Sequence, residues 1–204
     1  MISLSMTLLI IGFVASIFIS IYFKKKRKKF ESILFQKLIN KDYFSFDKMI
    51  QSKTAKKIIP PFDLLLLSFN SYILRKNYSK LKSIFDRSAH IYMSNKQKIR
   101  FYGQALQFFA EKKDYKRSKI CYQKIQSIKG YEHSKEVLNE LYEVMILNNV
   151  KYIKTIEKRL TNENIAQQIN DYRLLEHLYE IKKDSNTVDK LKRIEAQKVQ
   201  LFYK

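Results

Sequence analysis

The sequence contains very few glycine and proline residues, which are common in turns, and very few cysteines, which form disulfides. Among 204 residues there are 3 glycines, 2 prolines, 1 cysteine and no tryptophan. β-Sandwiches, barrels and nucleotide-binding α/β folds need more turn glycines than this, so we expect an all-α chain. A single cysteine excludes an intramolecular disulfide and a cysteine-based zinc site. Because the glycines stand only at positions 12, 103 and 130, no glycine-rich phosphate loop is available.

Residues that commonly carry catalysis or bind metals are also sparse. None of His90, His133 and His177 has a partner at a recognised metal-binding spacing. Cys121 falls on the apolar stripe of a predicted helix, which is typical of a small buried hydrophobe rather than a nucleophile. No nucleophile-elbow pattern around a serine occurs. We therefore predict that the chain is not an enzyme and binds no metal or cofactor.

The N-terminal segment has no charged side chain up to position 23. As a helix, residues 2–23 would extend about 33 Å, and the hydrocarbon core of a bilayer is about 30 Å thick. A cleaved signal peptide is the alternative, but it requires basic residues before the apolar run and small residues after it. This chain has neither. The sequence therefore predicts a transmembrane anchor at residues 1–23.

A run of cations follows this apolar segment directly, as a polybasic segment at residues 24–29. Its members are Lys24, Lys25, Lys26, Arg27, Lys28 and Lys29. By the positive-inside rule, they predict a single-pass protein of the cell membrane with its N-terminus outside and residues 24–204 in the cytoplasm. Beside a span they also favour contact with anionic membrane lipids, although such runs occur in nucleic-acid-binding proteins too. Lysine outnumbers arginine 32 to 8, a bias that suggests a low-GC bacterium as the source.

Five short turn-like triplets recur at a nearly fixed spacing in the rest of the chain. They lie at residues 41–43, 76–78, 113–115, 148–150 and 183–185, and their last residues are 35, 37, 35 and 35 apart. Such a period indicates a helical solenoid. Each triplet separates two segments with apolar residues at helical spacing, for example Phe101, Ala105 and Phe109 before the third triplet and Tyr115, Ser118 and Cys121 after its start.

The resulting helix assignment forms one continuous domain over residues 30–204. It is supported by Pro60-Pro61 at a helix start, by the capping-box spacing of Ser94 and Gln97, and by Gly130 as a helix stop. The predicted helices are residues 30–40, 43–53, 61–75, 78–93, 95–112, 115–129, 132–148, 150–160, 164–182 and 186–203.

The turns also resemble those of a known repeat family. Tyr78 is followed by apolar residues three and seven positions on, Tyr115 repeats that spacing with Ser118 and Tyr122, and an aromatic residue stands six positions before each tyrosine. On these residues, positions 27–203 resemble a degenerate tetratricopeptide (TPR) repeat array of about five units. The chain departs from the family where small residues are usual, with Phe69, Leu106, Leu141 and Glu176 in their place. A different α-hairpin solenoid therefore stays open as an alternative.

The resemblance implies a concave groove, lined by the first helix of each unit, that binds a peptide of a partner protein. Placed on this sequence, the implied partner-binding residues are Asn70, Arg100, Gln107, Tyr142, Asn170, Arg173 and His177.

The distribution of charge leaves two functions open. Residues 24–130 contain 27 Lys+Arg and 7 Asp+Glu, whereas residues 131–204 contain 13 and 12. We expect a membrane-anchored cytoplasmic adaptor or scaffold that binds a protein partner through the less basic half, because a surface of mixed charge suits a protein interface. The alternative is a membrane-tethered polyanion binder that holds nucleic acid, such as a competence or phage-exclusion factor.

Overall fold

A computed structural model describes residues 23–161 and 164–202, and within these ranges the chain is helical and contains no strand. The expectation of an all-α chain is confirmed. The chain divides into two compact units at residues 92 and 93. We call the described residues 23–92 unit 1, and residues 93–161 with 164–202 unit 2.

The fold class expected from the sequence requires a correction, because its transmembrane helix is not supported. Nowhere in the described ranges is a helix both long and apolar enough to cross a membrane. The first described helix, α1, is described over residues 23–39 and includes the six cations 24–29, and charged side chains are unfavourable in hydrocarbon. The anchor was predicted at residues 1–23, of which residues 1–22 lie outside the described residues. The supported fold class is all-α alone.

Unit 1 is built from short helices around an aromatic and aliphatic core. After α1 come α2 (Tyr43–Gln51), α3 (Lys53–Ile58), α4 (Pro61–Leu74) and α5 (Tyr78–Arg87), followed by a 3-10 turn at Ser88–His90. Leu34, Phe46 and Ile59 are fully buried or nearly so and pack in one cluster. Arg75 closes the α2–α4 contact, since its guanidinium pairs with both oxygens of Asp47 at 2.8 and 2.9 Å and lies 4.5 Å from the Tyr43 ring centroid.

Unit 2 contains three consecutive helical hairpins. Its helices are α6 (Asn95–Glu111), α7 (Tyr115–Gln126), α8 (Glu132–Met145), α9 (Ile153–Arg159, after a 3-10 turn at Val150–Tyr152), α10 (Ile165–Ile181) and α11 (Ser185–Phe202). The first helices of the hairpins lie side by side, because α8 contacts both α6 and α10. Buried Val144, Ile156, Leu175 and Leu178 form the core that joins the second hairpin to the third.

All five predicted turns are present and share one backbone geometry. Two or three positions beyond the end of each first helix, one residue adopts a left-handed conformation with φ between 54° and 60°. These residues are Lys41, Lys76, Lys113, Asn148 and Lys183. The next residue is an Asp or Asn whose side chain accepts a hydrogen bond from the backbone near the start of the second helix, namely Asp42, Asn77, Asp114, Asn149 and Asp184. The spacing of the turns is therefore confirmed, and its cause is a helix stop followed at once by a side-chain N-cap.

Several predicted boundaries and one core assignment are wrong. The expected helix 43–53 ends at Gln51, because Ser52 accepts a hydrogen bond from the Ala55 backbone N–H at 3.1 Å and thereby starts the unpredicted helix α3. The expected helix 78–93 ends at Arg87. The apolar stripes on either side of the third turn predict that Phe109 and Tyr115 are both core residues. Phe109 is fully buried, but Tyr115 is 54% exposed, because the first residue after the N-cap points away from the hairpin.

Candidate protein-binding groove

A groove of about 450 Å³ lies on unit 2, on the side formed by α6, α8 and α10. Its floor is apolar and comes mainly from α8, with Leu138, Leu141 and Met145 partly covered by their neighbours. Val137 belongs to the same floor and is 57% exposed. An apolar floor that remains open to solvent is the property that distinguishes a binding surface from an ordinary helix face.

Arg159 holds the wall of this groove together. Its guanidinium donates from Nε to Asp171 at 2.7 Å and from Nη1 to Glu140 at 2.9 Å. These bonds join the end of α9 to α8 and α10. Asp171 is only 2% exposed, and a buried carboxylate is stable only when it is paired. The two carboxylates also hold the pKa of the Arg159 guanidinium above its usual value, with the Asp171 hydrogen bond as the larger cause.

The rim is polar and carries charges of both signs. Glu111 ends α6, His133 and Glu136 stand on α8, and all three are exposed. On the opposite side, Arg173 of α10 donates from Nε to Glu195 of α11 at 2.7 Å. A fixed apolar floor with a polar rim has the layout of a protein interface, where buried apolar contacts supply energy and rim groups supply specificity.

The structure brings three of the seven expected partner-binding residues into the groove. Gln107 from α6 and Asn170 and Arg173 from α10 line it. His177 lies one turn beyond Arg173, where its Nε2 contacts Asn148 Oδ1 at 3.0 Å. Burial is the main cause that lowers the pKa of the His177 imidazole.

The remaining expected residues lie elsewhere. Tyr142 is 8% exposed, and its ring stacks on Tyr122 with the centroids 4.1 Å apart, so it packs the α7–α8 contact. Arg100 is exposed near the start of α6 without lining the groove, and Asn70 is a half-buried residue of α4 in unit 1. The groove inferred by resemblance therefore coincides with this one only at its α6 and α10 walls.

The residues of the floor are the ones that sequence reasoning missed. Val137, Leu141 and Met145 of this floor, together with His133 of the rim, are spaced by four, which places them on one face of a helix. That spacing was a usable signal. The pairing of Arg159 with Glu140 and Asp171 had no sequence signal, because it depends on how three helices cross.

The described residues contain neither a cluster of metal-binding side chains nor an accessible thiol. In the ranges 23–161 and 164–202, no three His, Cys, Asp or Glu side chains are grouped so that they could hold a metal ion. Cys121 is fully buried in α7, and burial raises the pKa of its thiol well above the usual range, which makes it a poor nucleophile.

Comparison with known proteins gives no relative from which a function could be transferred. No protein-family model, no curated protein and no solved structure matches this chain.

Proposed function

We propose that this chain is a non-catalytic adaptor that binds a segment of a partner protein in the groove of unit 2. The observation that carries the proposal is the open apolar floor on α8, to which Val137 contributes a side chain exposed to solvent. Three successive first helices line the same groove, the arrangement expected of a TPR-like repeat. We further propose that the hairpins of unit 2 are degenerate TPR-like repeats.

The ion pairs of Arg159 indicate that the groove is a binding site rather than an incidental depression of the surface. Because Arg159 ties α8 and α10 to the end of α9, the groove wall is fixed before a partner arrives. A preorganised site loses less conformational entropy on binding than a flexible one. The partner segment, helical or extended, binds by placing apolar side chains against Leu141 and Met145.

Site-specific photocrosslinking of the full chain in its native cells tests this proposal. A photoreactive amino acid at Val137 should give discrete protein adducts, because the side chain points into the open groove. The same amino acid at Lys119, an exposed position of α7 in the same unit, is the matched control. Adducts of equal pattern and yield at both positions, or none at Val137, would contradict the proposal.

A second candidate, the binding of nucleic acid as a polyanion, is favoured by the surface of unit 1. Residues 23–92 contain 17 Lys+Arg and 5 Asp+Glu. Four of these carboxylates are paired, with Arg27, Lys37 and Arg75 as their partners. On α3 three lysines, Lys53, Lys56 and Lys57, are exposed and are not needed for any of those pairs.

A salt titration of full-length protein against duplex DNA tests this second candidate. If α3 contacts phosphates, changing its three lysines to Gln should reduce the log–log salt slope by about 2–3, since each phosphate contact contributes about 0.9. The matched control changes Lys151, Lys154 and Lys158, which are exposed in unit 2. Equal salt slopes for the two triple variants would show that α3 is not the site that binds the polyanion.

A further inference from the structure

The charges that line the groove differ in sign from the chain as a whole. The chain has a net charge of +21. Inside the groove, both cationic side chains are already paired, Arg159 with Glu140 and Asp171 and Arg173 with Glu195.

Two carboxylates of the rim form no salt bridge with the described residues. Neither Glu111 nor Glu136 forms a salt bridge with any residue in the described ranges, although both line the groove. In a chain with twice as many cations as carboxylates, most acidic groups of the described structure have a basic partner. The groove is therefore an acidic and apolar site on a basic protein.

We infer that the occupant of the groove is a cationic, apolar peptide segment, in which Lys or Arg side chains reach Glu111 and Glu136 while Leu-, Phe- or Met-like side chains cover Val137 and the rest of the floor. The inference rests on the proposed protein-binding function and specifies its partner. Complementary charge at a rim selects among partners that could all bury the same apolar area.

An acidic segment does not fit the same groove. It would place carboxylates beside Glu111 and Glu136, where no free cation of the groove compensates them. Like charges at an interface oppose association. The general attraction between a +21 protein and acidic peptides acts over the whole surface, and it is screened beyond about 8–10 Å at physiological salt. Binding of a cationic peptide would therefore report the groove rather than the overall field.

The probe is a displayed library of random linear 12-residue peptides, selected on the full chain at physiological salt. Affinities of the enriched peptides are then measured for wild type and three variants. Val137→Gln alters the floor without changing charge. Glu111→Gln with Glu136→Gln removes the rim charges, and Glu132→Gln with Asp189→Asn removes two exposed carboxylates outside the groove as the matched control.

We expect enriched peptides that combine Lys or Arg with large apolar residues. Their affinity should fall roughly tenfold with the rim variant, as two partly exposed ion pairs would give, and should fall with Val137→Gln but not with the control. Neutral or acidic peptides that depend on Val137 and ignore the rim variant would overturn the charge inference and leave the groove function intact. Peptides that never depend on Val137 would overturn both.

Discussion

At the scale of single residues, the register of each helix determines which side chains enter the core. Phe109 stands six positions before Tyr115, and both are aromatic residues at a hairpin turn. Phe109 is 0% exposed and Tyr115 is 54% exposed. Hydrophobicity alone does not predict this difference in burial, because it arises from the direction of the side chain at the first position of α7.

Substitution of these two aromatics should therefore have very different effects on stability. Phe109→Ala should lower the free energy of unfolding by about 3–5 kcal/mol, the usual cost of a large cavity in a core. Tyr115→Ala should change it by less than about 0.5 kcal/mol, as for most surface sites. Chemical denaturation followed by circular dichroism measures both, and similar losses for the two variants would show that the register is wrong.

Glu176 of α10 is a residue whose charge opposes folding. Burial, and secondarily Glu195, raise the pKa of its carboxyl, and its Oε1 atom accepts no hydrogen bond from the described chain. A carboxyl with a raised folded-state pKa contributes stability that is complete below the unfolded-state pKa and is lost as the pH rises through the folded-state pKa. At neutral pH the ionised group is therefore unfavourable.

Glu176→Gln should consequently stabilise the protein at pH 7, by up to about 1 kcal/mol. The gain should vanish at a pH below the ordinary carboxyl pKa, where both side chains are neutral. Thermal unfolding at the two pH values measures this. Glu180→Gln, one turn further along the same helix, is the control and should not stabilise, because Glu180 pairs with Lys192 at 3.4 Å. A gain that persists at low pH would exclude the electrostatic explanation.

At the scale of elements, the repeated turn is what the sequence predicts best. The Asp or Asn N-cap is a local signal, since its side chain bonds to a backbone N–H two or three residues away. The left-handed residue before it is less obvious, because four of the five are lysines where glycine is the usual choice. The break at Ser52 was missed for a related reason: a serine inside an apolar-periodic stretch gives no warning that it will cap a new helix.

A lysine in the left-handed conformation stores strain that glycine would relieve. Lys113 has φ of 54°, and this conformation costs an L-residue about 1–2 kcal/mol. Glycine avoids that cost, but it adds about 0.5–1 kcal/mol of conformational entropy that is lost on folding. Lys113→Gly should therefore raise the free energy of unfolding by up to about 1 kcal/mol.

Lys112→Gly is the matched control for this turn. Its φ of −88° is ordinary for any residue, so glycine there should be neutral or destabilising. Both variants lose one lysine and differ only in backbone conformation. A gain from Lys112→Gly, or a loss from Lys113→Gly, measured by thermal unfolding, would contradict the turn geometry.

At the scale of the whole molecule, the groove is the feature that sequence reasoning located only in part. Its α6 and α10 walls were identified through Gln107, Asn170 and Arg173. Its floor on α8 was not, and Tyr142 was placed there although it packs against Tyr122. The reason is physical: period and composition indicate which helices form hairpins, but the face that stays open depends on helix packing and on the Arg159 pairs.

If a partner occupies the groove in the cell, a thiol placed in the groove should be shielded there from labelling. The native cysteine should contribute little labelling, because Cys121 is fully buried and the pKa of its thiol is raised. The folded wild-type protein should therefore not react with a maleimide. Val137→Cys and Lys119→Cys each add one exposed thiol, inside and outside the groove.

The measurement is the rate at which a membrane-permeant maleimide labels each variant, in native cells and as purified full-length protein. We predict that the ratio of the Val137→Cys rate to the Lys119→Cys rate is lower in cells than in the purified protein, because the partner covers the groove; the Lys119→Cys rate corrects for the competing thiols of the cell. An equal ratio in cells and in the purified protein would contradict occupation of the groove.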